Sequence, residues 1–160
     1  MNFAESEQTT LLRDTIRRFL DKEMPRELAR ELDAKASYSK PAFAKLCELG
    51  VTGLTVPEEF GGIGLSVSQE VLVNYELGRT AAAFRSVFGT NIGIGSQGIL
   101  MDGTPDQKAD YLPRVASGEL VMSFALTEPD AGSDAAALKT RADPVTDSDG
   151  DHYLLNGTKR

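Results

Sequence analysis

Apolar residues recur at helical spacing over the first two thirds of the chain, then give way to short compact runs. Leu12, Ile16, Phe19 and Leu20 share one face, with Arg13, Arg17 and Arg18 on another, so an amphipathic helix is predicted from about Glu5 to Glu23. Pro25 ends it or restarts the chain in a second helix, and residues 26–35 continue with alternating charges as a solvated helix. Pro41 opens a third helix with Phe43, Leu46 and Leu49 inward, and Gly50 is its stop signal. Val51 to Val56 is short, apolar and β-leaning.

The stretch PEEFGGIG, Pro57 to Gly64, follows. Its glycines predict backbone dihedrals that other residues avoid. Ser66-x-x-Gln69 reads as a capping box, in which a serine oxygen and a glutamine side chain satisfy each other's backbone N–H groups. The helix after it is expected to bury Val67, Val71, Leu72 and Tyr75. One further helix is predicted over Ala82 to Leu100. Its Gly89, Gly93, Gly95 and Gly98 each disfavour a helix and imply close approach by another helix or a ligand. Thr104-Pro105-Asp106-Gln107 is a second capping box, opening a helix with Tyr111, Leu112 and Val115 inward and an end near Gly118.

The period changes after Glu119. Val121 to Leu126, Leu138 to Ala142 and His152 to Leu155 read as strands, the last two joined by a polar turn at Asp147 to Gly150. The architecture expected is a helical domain over residues 1–119 and the beginning of a β domain over 120–160. Three strands with little covering them make a poor independent unit, so a continuation or another chain is expected to complete them.

Composition narrows the function classes. Of 160 residues, 41% are hydrophobic and 26% charged, which is ordinary for a folded domain. The net charge is −7 and no dense cationic stripe exists, so no nucleic-acid partner is expected. Val87 to Met101, the most apolar stretch, is too short and polar to span a bilayer, and no membrane insertion is expected. The N-terminal MNFAESEQ has no cationic segment before an apolar one, so no secretory signal is read there. Cys47 is the only cysteine; it is expected to be a buried, inert thiol, and its solitude fits a reducing, cytoplasmic location. With His152 the only histidine, no metal site is expected, and a surface or strand position is the simpler reading.

The segment ALTEPDAGSDAAA, Ala125 to Ala137, is where chemistry concentrates. Two readings stand on the residues alone. It is a turn built from ordinary turn residues, or a strand-end loop that offers backbone N–H groups and hydroxyls to a ring edge or phosphate.

Ala125-Leu126-Thr127-Glu128-x-x-Ala131-Gly132-Ser133-Asp134-x-x-Ala137 resembles a signature of the acyl-CoA dehydrogenase family. Val56-Pro57-Glu58-Glu59-Phe60-Gly61-Gly62, Gly103-Thr104-x-x-Gln107-Lys108 and Leu155-Asn156-Gly157-Thr158-Lys159 resemble further family segments, in the family's order. The resemblance covers nearly the whole chain. It implies a mostly α fold: an N-terminal up-and-down helical domain, then the first strands of a β-barrel-like domain, with the C-terminal helical domain missing.

The resemblance also implies chemistry. Family members oxidise an acyl-CoA thioester to a trans-2-enoyl-CoA: a glutamate takes the α-proton and flavin N5 takes the β-hydrogen as hydride. FAD is the implied cofactor, with electron-transfer flavoprotein or another acceptor downstream and a homotetramer or heteromer as the complete assembly. Phe124, Ala125, Leu126, Thr127, Gly132 and Ser133 would line the flavin; Ser133 would also meet CoA. Arg85, Gly89 and Gly93 would lie beside the acyl chain. Glu128 and Asp134 would pin the loop by accepting backbone N–H bonds. No residue here is assigned as the catalytic base, which is expected beyond Arg160 along with a tryptophan-containing flavin segment; the chain has no Trp. The expected function is thus FAD-dependent acyl-CoA dehydrogenation, with this fragment inactive alone. The alternatives are a flavin-dependent oxidase or hydroxylase of the same fold, nitroalkane oxidase-like, or a non-catalytic helical partner subunit.

Overall fold

The computed structural model describes residues 5–160; residues 1–4, the start of the acidic N-terminal stretch, lie outside the described residues. Among the described residues seven α-helices precede one hairpin: α1 (Glu7–Glu23), α2 (Arg26–Ala34), α3 (Lys40–Glu48), α4 (Val67–Leu77), α5 (Ala82–Thr90), α6 (Ser96–Asp102), α7 (Pro105–Ser117), β1 (Arg141–Asp147) and β2 (Gly150–Asn156). The chain divides into two compact units, Met1–Ser123 and Phe124–Arg160.

Local chemistry sets the helix starts. Ser6 accepts the Thr9 amide, Ser39 the Ala42 amide and Thr104 the Gln107 amide. Both predicted capping boxes form, at Ser66 with Gln69 and at Thr104 with Gln107. Gly118 ends α7 at φ 80°, in the left-handed region that glycine tolerates.

The first unit's core gathers Ile16 and Leu20 from α1, Leu46 from α3, Val73 and Leu77 from α4, and Phe84 and Phe88 from α5. Phe43 stacks on Phe88 with ring centroids 5.3 Å apart, and Phe84 meets Phe88 edge-on at 5.2 Å. A second cluster joins Val56 to Leu112, Val115 and Ala116.

Several elements differ from expectation. Val51–Gly53 is a 3-10 turn, not a strand, because Gly50 enters it at φ 77°. The apolar residues there are nonetheless buried, and the GGIG segment folds back over them: the Gly64 amide donates to Val56 O (2.9 Å) and the Leu65 amide to Leu54 O (2.8 Å). A Cβ on Gly62 would lie 2.0 Å from Val56 O, so only glycine fits that return.

The face assigned to α4 is rotated. Val67, Val71 and Tyr75 are exposed, whereas Val73, Glu76 and Leu77 are buried. The cause is polar. Glu76 accepts from Arg17 Nη2 (2.6 Å), Arg17 Nε (3.1 Å) and Arg13 Nη2 (2.8 Å), while Gln69 donates to the buried Thr9 hydroxyl (3.0 Å). This polar seam joins α1 to α4. Tyr111 is likewise exposed, and only Leu112 and Val115 of its trio point inward.

The helix predicted over Ala82 to Leu100 is two helices separated by a wide π-type turn, Asn91–Gly95, in which Gly93 leaves helical dihedrals at ψ −115°. Asn91, fully buried, holds the break: its Oδ1 accepts the Met122 amide (2.7 Å), and its Nδ2 donates to Val115 O (3.3 Å) and Thr52 O (3.4 Å). Thr55 Oγ1 donates to Ile92 O (2.8 Å), satisfying a carbonyl that the wide turn frees. Cys47 is half-buried rather than buried, and burial pushes its thiol pKa up, so it stays protonated and unreactive near neutral pH.

Val121–Leu126, where the first unit gives way to the second, is not a strand, since no partner among the described residues pairs with it. The predicted strand at Leu138 instead starts at Arg141, because the backbone of Lys139 and Thr140 is engaged by Glu128. β1 and β2 pair antiparallel with Arg141 opposite Asn156 and Asp147 opposite Gly150, around the predicted polar turn. His152 lies exposed on β2.

Candidate functional site

The loop from Phe124 to Asp134 is organised around one buried carboxylate. Glu128 is only 5% exposed at its side chain. Its Oε2 accepts the Lys139 amide (2.7 Å), and its Oε1 accepts the Thr140 amide (3.0 Å), the Thr140 hydroxyl (2.5 Å) and the Lys159 ammonium (3.0 Å). The Thr140 hydroxyl and the Lys139 amide are the main influences holding Glu128 down at about 2. The Glu128 backbone closes a tight turn with Ala131: the Glu128 amide donates to Ala131 O (2.8 Å) and the return bond is 3.3 Å. Asp134 accepts the Ala136 amide at 3.2 Å, starting a short 3-10 turn. Both acids therefore make the backbone bonds expected of loop braces.

This inward clamp leaves the other groups outward. Phe124, Ala125, Thr127 and Ser133 are exposed, and Leu126 and Gly132 are half-buried. The carbonyls of Leu126 and Thr127 are taken, by Lys159 Nζ (3.0 Å) and the Arg160 amide (2.9 Å). The amides of Leu126 and Thr127 and the Thr127 hydroxyl have no partner among the described residues. Free donors whose neighbouring acid, Glu128, is already engaged by other groups suit a ligand that presents acceptors: carbonyl and ring-nitrogen edges, or phosphate. The nearest atom to a Cβ built on Gly132 is Thr127 Cγ2 at 3.8 Å, so the bend stays open there.

The residues expected near an acyl chain lie in the first unit. Arg85 lies over Gly89: a Cβ there would come within 2.5 Å of Arg85 Nη1, so the guanidinium occupies the space the glycine leaves. A Cβ on Gly93 would meet nothing within 4 Å. Gly93 borders a cleft of about 390 Å³ lined largely by Thr55, Leu65, Ile92, Gln97 and Leu100. Sequence reasoning missed Asn91, which shapes this stretch. Its only signal was an amide side chain within an apolar, glycine-rich run.

Among the described residues no group of three or more His, Cys, Asp or Glu side chains could hold a metal ion. No helix of the described residues is long and apolar enough to cross a membrane.

Residues 6–119 match the family model described as acyl-CoA dehydrogenase, N-terminal domain. Acryloyl-CoA reductase (NADH) of Anaerotignum propionicum is 38% identical over 159 residues, 99% of this chain and 39% of that protein. Mitochondrial isovaleryl-CoA dehydrogenase of Bos taurus is 35% identical over 156 residues, 96% of this chain and 35% of that protein. The crystal structure of an acyl-CoA dehydrogenase complexed with FAD from Bacillus anthracis superposes with TM-score 0.82 at 34% identity, covering 98% of this chain and 26% of that one. The chain thus spans no more than about two fifths of the length of these relatives.

Proposed function

The chain belongs to the acyl-CoA dehydrogenase family, and on that premise we propose that it supplies the flavin-edge loop of an FAD-dependent enzyme that desaturates an acyl-CoA thioester between its α and β carbons. The observation that carries this reading is the row of unpartnered donors at Leu126 and Thr127, held outward while Glu128 is turned in. FAD, when bound, supplies a hydride acceptor. The Leu126 and Thr127 amides and the Thr127 hydroxyl donate to the ring edge, and Phe124 packs against the ring. Ser133, beyond the Gly132 bend, reaches the flavin pyrophosphate and the neighbouring CoA. Prepositioned donors need no reorganisation when the ligand arrives, which is why such an edge binds and orients at little entropic cost.

Glu128 cannot serve as the base. It is turned inward, ion-paired to Lys159 and held at about 2, far below a group poised to take a proton near neutral pH. On this reading the base is a group other than Glu128. Arg85, Gly89 and Gly93 border the acyl chain, with Gly93 leaving room for it. Electron-transfer flavoprotein or a like acceptor takes the electrons. A cytoplasmic location and an oligomeric assembly complete the proposal. The domain division proposed keeps the helical part at 1–119 and the β part from 120.

One observation favours a second reading of direction. The relative 38% identical is named acryloyl-CoA reductase (NADH), which is the reverse direction of the same chemistry. Anaerobic addition of an acyl-CoA to the flavin-loaded full-length protein tests both. Bleaching of the flavin absorbance supports dehydrogenation. Bleaching by NADH alone, with recovery on adding an enoyl-CoA, supports the reductase. No response to either rejects both.

A further inference from the structure

Lys159 sits outside the signature loop, yet among the described residues it is the side chain that ties the loop's brace to the loop's backbone. Its ammonium donates to Glu128 Oε1 and to Leu126 O, both at 3.0 Å. One residue on, the Arg160 amide donates to Thr127 O at 2.9 Å. The 159–160 segment therefore holds both carbonyls of the two residues whose amides are free.

Gly157 allows that segment to arrive. A Cβ at this position would lie 2.1 Å from Thr140 Oγ1, the hydroxyl that also donates to Glu128. Glu128, Thr140, Gly157 and Lys159 form one connected set, in which a buried carboxylate meets an ammonium that still reaches water. Its consequence is orientation. The Leu126 carbonyl and the Thr127 N–H belong to one peptide plane, so fixing that carbonyl fixes the direction of the Thr127 N–H as well.

We propose that Lys159 is a positioning residue: by holding the Leu126 carbonyl it sets the direction of the Thr127 amide toward the ligand edge without touching the ligand. The inference rests on the flavin reading of that loop. Removing the ammonium frees the Leu126 carbonyl and leaves Glu128 one donor short, while the Lys139 and Thr140 bonds keep the turn folded. The result is a loop that persists but aims its donors loosely.

The test is FAD titration of the full-length apoprotein, with flavin absorbance as a second readout. Lys159→Met is expected to weaken FAD binding about tenfold, the equivalent of roughly 1.4 kcal/mol, and to shift the bound flavin's absorbance bands. Lys159→Arg restores a cation and is expected to recover most of the affinity. Thr127→Val, which alters a proposed ligand contact, serves as the reference, and a thermal melt of each apoprotein reports folding. Should Lys159→Met melt early, Lys159→Gln is read instead: its shorter, neutral side chain is expected to weaken FAD binding as well, and unchanged affinity in it overturns the positioning role. Unchanged affinity and spectrum in Lys159→Met, alongside a loss in Thr127→Val, overturns the positioning role and leaves the flavin reading standing. No FAD uptake by the unsubstituted protein overturns both.

Discussion

Two buried glutamates do opposite jobs at the residue scale. Glu76 joins α1 to α4, and Glu128 folds a loop onto itself. Hydrogen bonds from Arg17, with help from Arg13 and against the cost of burial, hold Glu76 down at about 2 from an ordinary 4.5. A depressed carboxylate stabilises the fold fully above its unfolded pKa and loses that contribution as pH falls through its folded one. The Glu76 contribution is therefore intact above about pH 4.5 and lost by about pH 2. Glu76→Leu should cost about 1–3 kcal/mol at neutral pH, because Arg13 and Arg17 lose their shared partner while keeping access to water and to Glu5 and Asp14. Urea melts at pH 6 and pH 3 check this: the wild-type protein weakens on acidification, and the variant weakens less. A Glu at this spacing reads as a solvent-facing residue in sequence. Its pairing with two arginines some sixty positions away is invisible to local periodicity, which is why the buried face of α4 was misread.

At the scale of elements, helix starts were legible and helix interiors less so. Capping boxes at Ser66 and Thr104 are local chemistry, written within four residues, and both form. The break at Asn91–Gly95 is not local, since it depends on partners at Thr52, Val115 and Met122. Glycine content signalled an irregularity there but not its form. Close approach is real at Gly95, where a Cβ would lie 2.6 Å from Met122 Cβ, while a Cβ at Gly93 would meet nothing within 4 Å. Asn91→Leu should strand the Met122 amide and two carbonyls and cost about 2–4 kcal/mol. Equilibrium denaturation would show it as a lower midpoint. A cost below ~1 kcal/mol would mean that the wide turn holds itself. The expected strand at Val121–Leu126 failed for a related reason. Strand propensity was present, but a strand exists only where a neighbour supplies hydrogen bonds, and among the described residues none does.

For the whole molecule, family membership rests on a match that runs through residues 6–119, and the candidate site lies after it, in the second unit. The signature loop was legible because its residues act locally: a glutamate that braces, a glycine that opens the bend, hydroxyls that stay outward. The contact of Lys159 with Glu128 was not, because the two lie 31 residues apart and meet only after the hairpin folds. The central claim is that the donors at Leu126 and Thr127 grip a flavin. Equilibrium titration of the full-length apoprotein with FAD, compared with its Thr127→Val variant, tests it most directly. Saturable uptake of one FAD per chain, weakened about three- to tenfold by losing one hydrogen bond in the variant, is the predicted result. Absence of uptake, or uptake indifferent to Thr127, would contradict it.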